Sequence, residues 1–417
     1  MDVQNNVNRS FRLILIQLLI FISQEAEPSS AQKPQRTSVK ATQAQAIISL
    51  RLETGKQVFL DQSLSEPTGQ ACVNCHQPEY AFADPRSVST GAVSERMGTR
   101  NAPSLLYAAL IPSFAYEDFL TPDGEEVYAH EGGLFWDGRA RDLFEQVQQP
   151  FFNHKEMNLS SESELAHRLR RSSYAHQLKK LVGHRYWGDD GLVTYHAYLC
   201  LVEFLRSPVF RPFNSKFDAY RRGDQAVLNE QELRGMKVYI EKGKCDACHP
   251  LSATNWDPPL LSDFGFDNLG VPSSGKPDLG LGKHTGNPEE IGKFRSPSLR
   301  NVALTAPYMH NGSLKTLKEV VEFYNLRDTP HGRWKTTDFP NTVNRTDLGN
   351  LQLSQKEMDD LIAFLHCFTD RHLNTNASHE SLNIDPEHAE SNHAQSLLFP
   401  GWTHRLHRGF KAQKSDN

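Results

Sequence analysis

Long apolar runs are missing from this chain of 417 residues. The longest, Leu13 to Ile22, is about ten residues, against the roughly 20 that a helix needs to span a bilayer. A strong charge of either sign is missing too. The chain holds 45 Lys and Arg against 50 Asp and Glu, a net charge of −5. That balance argues against nucleic acid as the main partner, which would favour a basic face. Apolar residues make up only 38%, and strand patterning is weak throughout, so a sheet-rich fold is not expected. A loop-rich fold with so few apolar residues is expected to borrow apolar surface from a bound group.

What is present begins with an export-like N-terminus. Arg9 and Arg12 precede the Leu13–Ile22 run, and small residues follow, ending in Ser29, Ser30 and Ala31. That is a positive n-region, a short h-region and a cleavage-like site. It predicts an export signal over residues 1–31 and a periplasmic protein, with an uncleaved anchor as the alternative.

Six cysteines occur, and four of them form two identical patterns, "CVNCH" at 72–76 and "CDACH" at 245–249. Cys-x-x-Cys-His is the attachment signature of c-type haem. Cys72 and Cys75, and likewise Cys245 and Cys248, would bond the haem vinyl groups. His76 and His249 would then be proximal iron ligands. A zinc site needs a second Cys or His pair nearby, which neither copy has. Thiol–disulfide chemistry does not need the His. Two covalently attached haem c groups are therefore expected, which agrees with export.

Helical patterning surrounds each motif. Before the second, Asn229 and Glu232 form a capping box, and Leu233, Met236 and Ile240 share one face. After it, Ser354 and Glu357 form another box ahead of the stripe Met358, Leu361, Ile362 and Leu365. The core of that helix, "LIAFLHCF", echoes "LVEFLRSP" at 201–208. The expected fold is mainly α: two cytochrome-c-like haem domains with long loops and few strands. The expected boundaries are 42–210 and 211–372, followed by a flexible polar tail at 373–417. Cys200 lies just before one echoed segment and Cys367 near the end of the other. Both are read as small core residues, with a disulfide between them as the alternative.

Between the motifs lie "TRNAPSLLYAA", "FWDGRARDLFEQVQQP" and "HKEM"; after the second come "FRSPSLRNVALTAPYMHNG" and "TLKEVVEFYN". In this order, from about residue 45 to 372, they resemble the bacterial di-haem cytochrome c peroxidase superfamily, which includes the MauG-like enzymes. The resemblance implies an enzyme that reduces hydrogen peroxide at the N-terminal haem and draws electrons through the C-terminal haem. It places Gln146, Pro150 and Glu156 on the open face of the first haem. Glu156 would move a proton between the peroxide oxygens, and Gln146 would orient them. Trp136 would relay electrons between the haems. Asn101, with the Thr305 and Pro307 carbonyls, would hold an inter-haem calcium, an ion suited to oxygen donors.

Two departures from typical members stand out. Where they carry a Met as the sixth ligand of the second haem, this chain has Tyr324, which resembles the Tyr-ligated MauG-like branch. A phenolate favours oxidised iron. Met309 is the rival ligand. Residues 85–100 also hold no His to cover the first haem, so an open site is expected, with His130 as an alternative lid. Three readings follow: a peroxidase, a MauG-like oxidase acting on Trp or Tyr of a partner protein, and a non-enzymatic electron carrier. A carrier has no use for Gln146 and Glu156. The donor would be a periplasmic cytochrome c, a cupredoxin or a protein substrate. A homodimer is among the arrangements the resemblance allows.

Overall fold

The computed structural model describes residues 34–120, 126–252, 257–273, 275–334 and 338–371. The expected export signal and the polar tail lie outside them. The chain divides at Ile47 and Ile48 into two compact units, and both Cys-x-x-Cys-His motifs belong to the second. The helices are α1 (Pro34–Leu60), α2 (Leu143–Gln146), α3 (Gln149–Phe152), α4 (Glu162–Arg171), α5 (Ala175–Val182) and α6 (Asp190–Leu205). After them come α7 (Lys216–Arg221), α8 (Glu230–Ile240), α9 (Leu281–Thr285), α10 (Leu317–Leu326) and α11 (Gln355–His366). The strands among the described residues form two antiparallel pairs. One joins β1 (Ala115–Leu120) to β2 (Glu126–Glu131), and the other joins β3 (Phe266–Asp267) to β4 (Phe294–Arg295). The protein is thus mainly helical with long loops and little strand.

Two hydrophobic cores form inside the second unit. The first gathers Val58, Phe59, Leu165, Leu169, Phe204 and Phe210 with residues from the loops around them. The second gathers Phe217, Tyr239, Val321, Leu361, Phe364 and Phe368. Each is built on a glycine crossing. Gly55 of α1 lies so near α6 that an added Cβ would overlap the Cys200 carbonyl and stand 2.9 Å from Phe204 Cβ. Gly235 of α8 meets α11 in the same way, over the Asp360 carbonyl and 2.8 Å from Phe364 Cβ. The echoed segments at 201–208 and 361–368 are the partners of these two crossings.

Both capping boxes are formed, at Asn229 with Glu232 and at Ser354 with Glu357. The expected apolar face of α8 is buried only in part, at Met236, which packs against the second core. Leu233 and Ile240 are 37% and 49% exposed, while Gly235 and Tyr239 are buried. The glycine sets the rotation of the helix, because only a residue without Cβ lets the two backbones touch. Cys200 and Cys367 are both buried free thiols, one in each core.

A buried ion pair joins the two cores. Arg300 donates two hydrogen bonds to Asp218, at 2.9 and 3.0 Å, and a third to the Pro259 carbonyl. Its guanidinium stacks 5.0 Å from the Tyr107 ring and 4.5 Å from Phe213. Both charged side chains are essentially sealed from water, at 1% and 0% exposure. A buried charge of this kind is tolerated only when its hydrogen bonds are satisfied.

Candidate haem-binding and peroxide site

The two Cys-x-x-Cys-His segments fold alike. Each opens with a single 3-10 turn, Cys72–Asn74 and Cys245–Ala247. In each the His amide donates to the carbonyl of the first Cys, at 2.9 Å for His76 and 2.9 Å for His249. Each ring is then fixed by a carbonyl: His76 Nδ1 lies 3.1 Å from Phe82 O, and His249 Nδ1 lies 3.0 Å from Leu261 O. A carbonyl only accepts, so Nδ1 carries the proton and Nε2 is left with its lone pair, the arrangement of a metal-ligating imidazole. Burial disfavours the charged ring in both and pushes the His249 pKa down to about 4. All four motif cysteines are free.

Both motifs open on one continuous cavity of about 820 Å³, mostly apolar and lined by the cysteines and histidines of each. Ligand pockets run to about 1,000 Å³, so this is a large one. Arg295 also lines it. Its Nε is buried with no hydrogen-bond partner among the described residues, and burial pulls its pKa down to about 10. An unpaired buried guanidinium nitrogen beside an apolar cavity calls for an anionic group. Free thiols, neutral imidazoles, apolar walls and this arginine together fit haem c and its propionates.

Gln146, Pro150 and Glu156 all line the same cavity. Asp142 caps α2 through the Glu145 amide, which sets Gln146 at the helix end. Pro150 starts α3, where its missing N–H costs nothing. The chain then turns back: the Glu156 amide donates to the Asn153 carbonyl at 2.9 Å, and the Met157 amide to the Pro150 carbonyl at 3.1 Å. Asn153 Nδ2 donates to Glu156 Oε1 at 2.6 Å. Burial raises the Glu156 pKa, more than Asn153 and Arg139 lower it. A second, smaller cavity of about 360 Å³ meets the first here. Phe135, Arg139, Asn153 and Glu156 line both.

Trp136 lines the cavity and is tightly held. Its indole donates to the Asn101 carbonyl at 2.9 Å, and its own carbonyl accepts from the Arg295 amide at 2.8 Å. The next residue, Asp137, pairs with Arg100 at 2.7 Å and Arg139 at 2.8 Å. Arg100 also grips Asp278 through two bonds, which draw the Asp278 pKa down to about 2 against the effect of burial. Asn101, Thr305 and Pro307 line the cavity too. Asn101 Nδ2 donates to the Asp84 and Arg86 carbonyls, which leaves Oδ1 on the opposite side of the amide.

Tyr324 on α10 and Met309 share one hydrophobic cluster and the same cavity. Burial, then the nearby Cys248 and Cys245, raise the Tyr324 pKa. Among the described residues no hydrogen bond reaches its phenol oxygen. His130 does not line the cavity. It sits on β2, 2.7 Å from Glu290 and stacked on Phe114. Sequence reasoning gave no role to Arg295, Arg139, Asn153 or His310. His310 stacks on Phe294 at 3.7 Å against the cavity. All but Asn153 sit inside the family motifs quoted above, and that was the available signal.

Comparison with known proteins agrees with this geometry. Residues 50–226 match the family described as di-haem cytochrome c peroxidase. The methylamine utilization protein MauG of Paracoccus denitrificans (strain Pd 1222) is 33% identical over 349 residues, covering 76% of this chain and 88% of MauG. The chain belongs to the di-haem cytochrome c peroxidase family. The cytochrome-c peroxidase IdrP1 of Denitromonas iodatirespirans is 30% identical, covering 76% of this chain and 81% of that protein. A tyrosine-to-methionine variant of the diheme peroxidase BthA from Burkholderia thailandensis E264 shares the fold, with a TM-score of 0.70 and 31% identity. That match covers 80% of this chain and 89% of the other. As a member of this family the chain is an oxidoreductase that acts on peroxide, with two haem c groups as its cofactors.

Proposed function

We propose that peroxide is reduced on the wall that carries His76, Gln146, Pro150 and Glu156, and that electrons arrive from the His249 side past Trp136. One observation carries this reading: Glu156 is a partly buried carboxyl whose pKa is raised by desolvation, on the cavity that His76 lines and bordering a second opening. Bound haem supplies the iron through which electrons reach peroxide. Reduction of hydrogen peroxide to two waters consumes two electrons and two protons. Glu156 takes the proton from the near oxygen and returns it to the far one. Asn153 fixes the carboxyl through Oε1, which leaves Oε2 for the proton. Gln146 orients the peroxide, and Pro150 offers no competing donor. The carbonyl and ion-pair contacts of the 136–137 turn hold the Trp136 indole in place for one-electron relay. Changing Glu156→Gln tests this. The reaction with peroxide slows by about 100- to 10,000-fold while both haems remain attached; an unchanged rate would remove Glu156 from the mechanism.

The same reading assigns His76 to the first iron and His249 with Tyr324 to the second. A calcium ion would be held by Asn101 Oδ1 with the Thr305 and Pro307 carbonyls, donors suited to it. The site of action is the periplasm, reached through the 1–31 signal. A second reading, a MauG-like oxidase that removes electrons from Trp or Tyr of a partner protein, is favoured by Tyr324. A phenol oxygen with no hydrogen bond among the described residues, beside the cavity of His249, suits a hard anionic ligand that favours oxidised iron. Tyr324→Phe then changes the spectrum of the second haem alone. An unaltered spectrum would pass the role to Met309.

A further inference from the structure

The β1–β2 hairpin is the most exposed aromatic feature among the described residues, and nothing above uses it. Tyr116 and Tyr128 are 60% and 57% exposed. Their rings stack across the strands with centroids 6.0 Å apart and planes at 23°. They are diagonal neighbours, because Tyr116 pairs with His130 and Tyr128 with Asp118. A hairpin gains little stability from tyrosines left in water. What these rings do have is an unbroken line inward. Tyr116 lies 4.7 Å from His130, His130 stacks 5.0 Å from Phe114, and Phe114 lies 5.3 Å from His284. His284 lines the haem cavity. The ladder is pinned at its middle: His130 is bonded to Glu290, which also accepts from Thr285 Oγ1.

The hairpin is also charged in one sense. Among the described side chains of its strands, Glu117 and Glu131 are acidic and none is Lys or Arg. Such a cluster steers a basic protein toward it and repels an acidic one.

We propose that this hairpin is the point of electron uptake: its acidic strands dock a lysine-rich redox protein, and Tyr116 with Tyr128 are the outer relay of the ladder to the cavity. This rests on the peroxide chemistry proposed above and names the kind of donor that feeds it. Each peroxide turned over to two waters takes two electrons. They leave the tyrosines one at a time, and each phenol releases its proton to water. The reduced partner returns each electron, and water returns the proton. Without a partner, the two one-electron-oxidised tyrosines couple: one carbon–carbon bond forms, two hydrogens are lost as electrons and protons, and peroxide becomes two waters. His130, Phe114 and His284 are positioning residues that carry electronic coupling and are not themselves oxidised.

The test uses the full di-haem protein and stoichiometric peroxide with no donor, followed by peptide mass spectrometry. The expected result is a Tyr116–Tyr128 crosslink or oxidation confined to these two residues, lost in Tyr116→Phe/Tyr128→Phe. Tyr186 and Tyr195, 48% and 43% exposed but off the ladder, stay unmodified. A second arm measures binding of a lysine-rich c-type cytochrome at low salt. Glu117→Lys/Glu131→Lys weakens it at least about tenfold, and salt weakens the unaltered protein in the same direction. Normal peroxide consumption with Tyr116 and Tyr128 untouched would overturn the relay, and unchanged cytochrome binding in the charge reversal would overturn the dock. No reaction of the unaltered protein with peroxide would overturn the underlying reading as well.

Discussion

The halves around Cys72 and Cys245 share their proximal geometry and differ across the cavity. Both have a 3-10 turn, a His amide bonded to the first Cys carbonyl, and a ring fixed through Nδ1. Both rest on a helix crossing built at a glycine, Gly55 in one and Gly235 in the other. Along the shared cavity the first half contributes an amide, a proline and a partly buried carboxyl; the second half contributes a phenol and a thioether. The repeated part answers a repeated demand, the holding of a neutral imidazole against iron. On the reading proposed above, the divergent part is where the chemistry is chosen: Glu156 moves the proton, and Tyr324 sets the preferred iron oxidation state.

The contrast is broken most strongly by exchanging roles. Glu156→Gln is expected to slow the peroxide step by about 100- to 10,000-fold, whereas Tyr324→Phe leaves both haems attached and alters one spectrum. Rapid-mixing spectra of both variants check this, and equal slowing in both would erase the division of labour. The link between the halves comes next. Asp218→Ala strands the buried Arg300 charge, and a loss of about 3–5 kcal/mol in denaturant unfolding is expected. The shared crossings come third. Gly55→Ala and Gly235→Ala force α1 from α6 and α8 from α11, at about 1–3 kcal/mol each. A loss in only one of them would show that the crossings are not equivalent.

The smallest effect is on pH. The Asp278 pKa is depressed to about 2 in the fold, against about 3.9 for a free Asp. Its pairing with Arg100 therefore stabilises the fold fully above about pH 4, and this is lost as pH falls toward 2. Asp278→Asn is expected to remove that part of the acid sensitivity, read as thermal midpoints across this window. The first half carries the opposite sign at Glu156, whose pKa is raised. The peroxide rate is therefore expected to fall with acid at a pH above the ordinary Glu value of about 4.3.

Much of this was legible in local sequence. The haem motifs, both capping boxes and the α11 stripe depend on residues within a turn or two of one another. The buried face of α8 was legible only in part: apolar spacing pointed to Leu233 and Ile240, but the Gly235 contact is with a helix more than a hundred residues away. The Arg100–Asp137–Asp278 clamp and the placement of Arg295 on the cavity were hidden for the same reason. The β1–β2 hairpin had a local sign, Pro-Asp-Gly at 122–124 between alternating residues. Its aromatic line to His284 depends on distant packing.

On the proposed reading the first half meets peroxide on an open wall, with no His in 85–100 to cover it and His130 bonded to Glu290. The direct measurement is rapid-scan absorption of the all-ferric protein mixed with one equivalent of peroxide. The account predicts an immediate change at the first haem without prior reduction. A reaction seen only after the second haem has been reduced would contradict it.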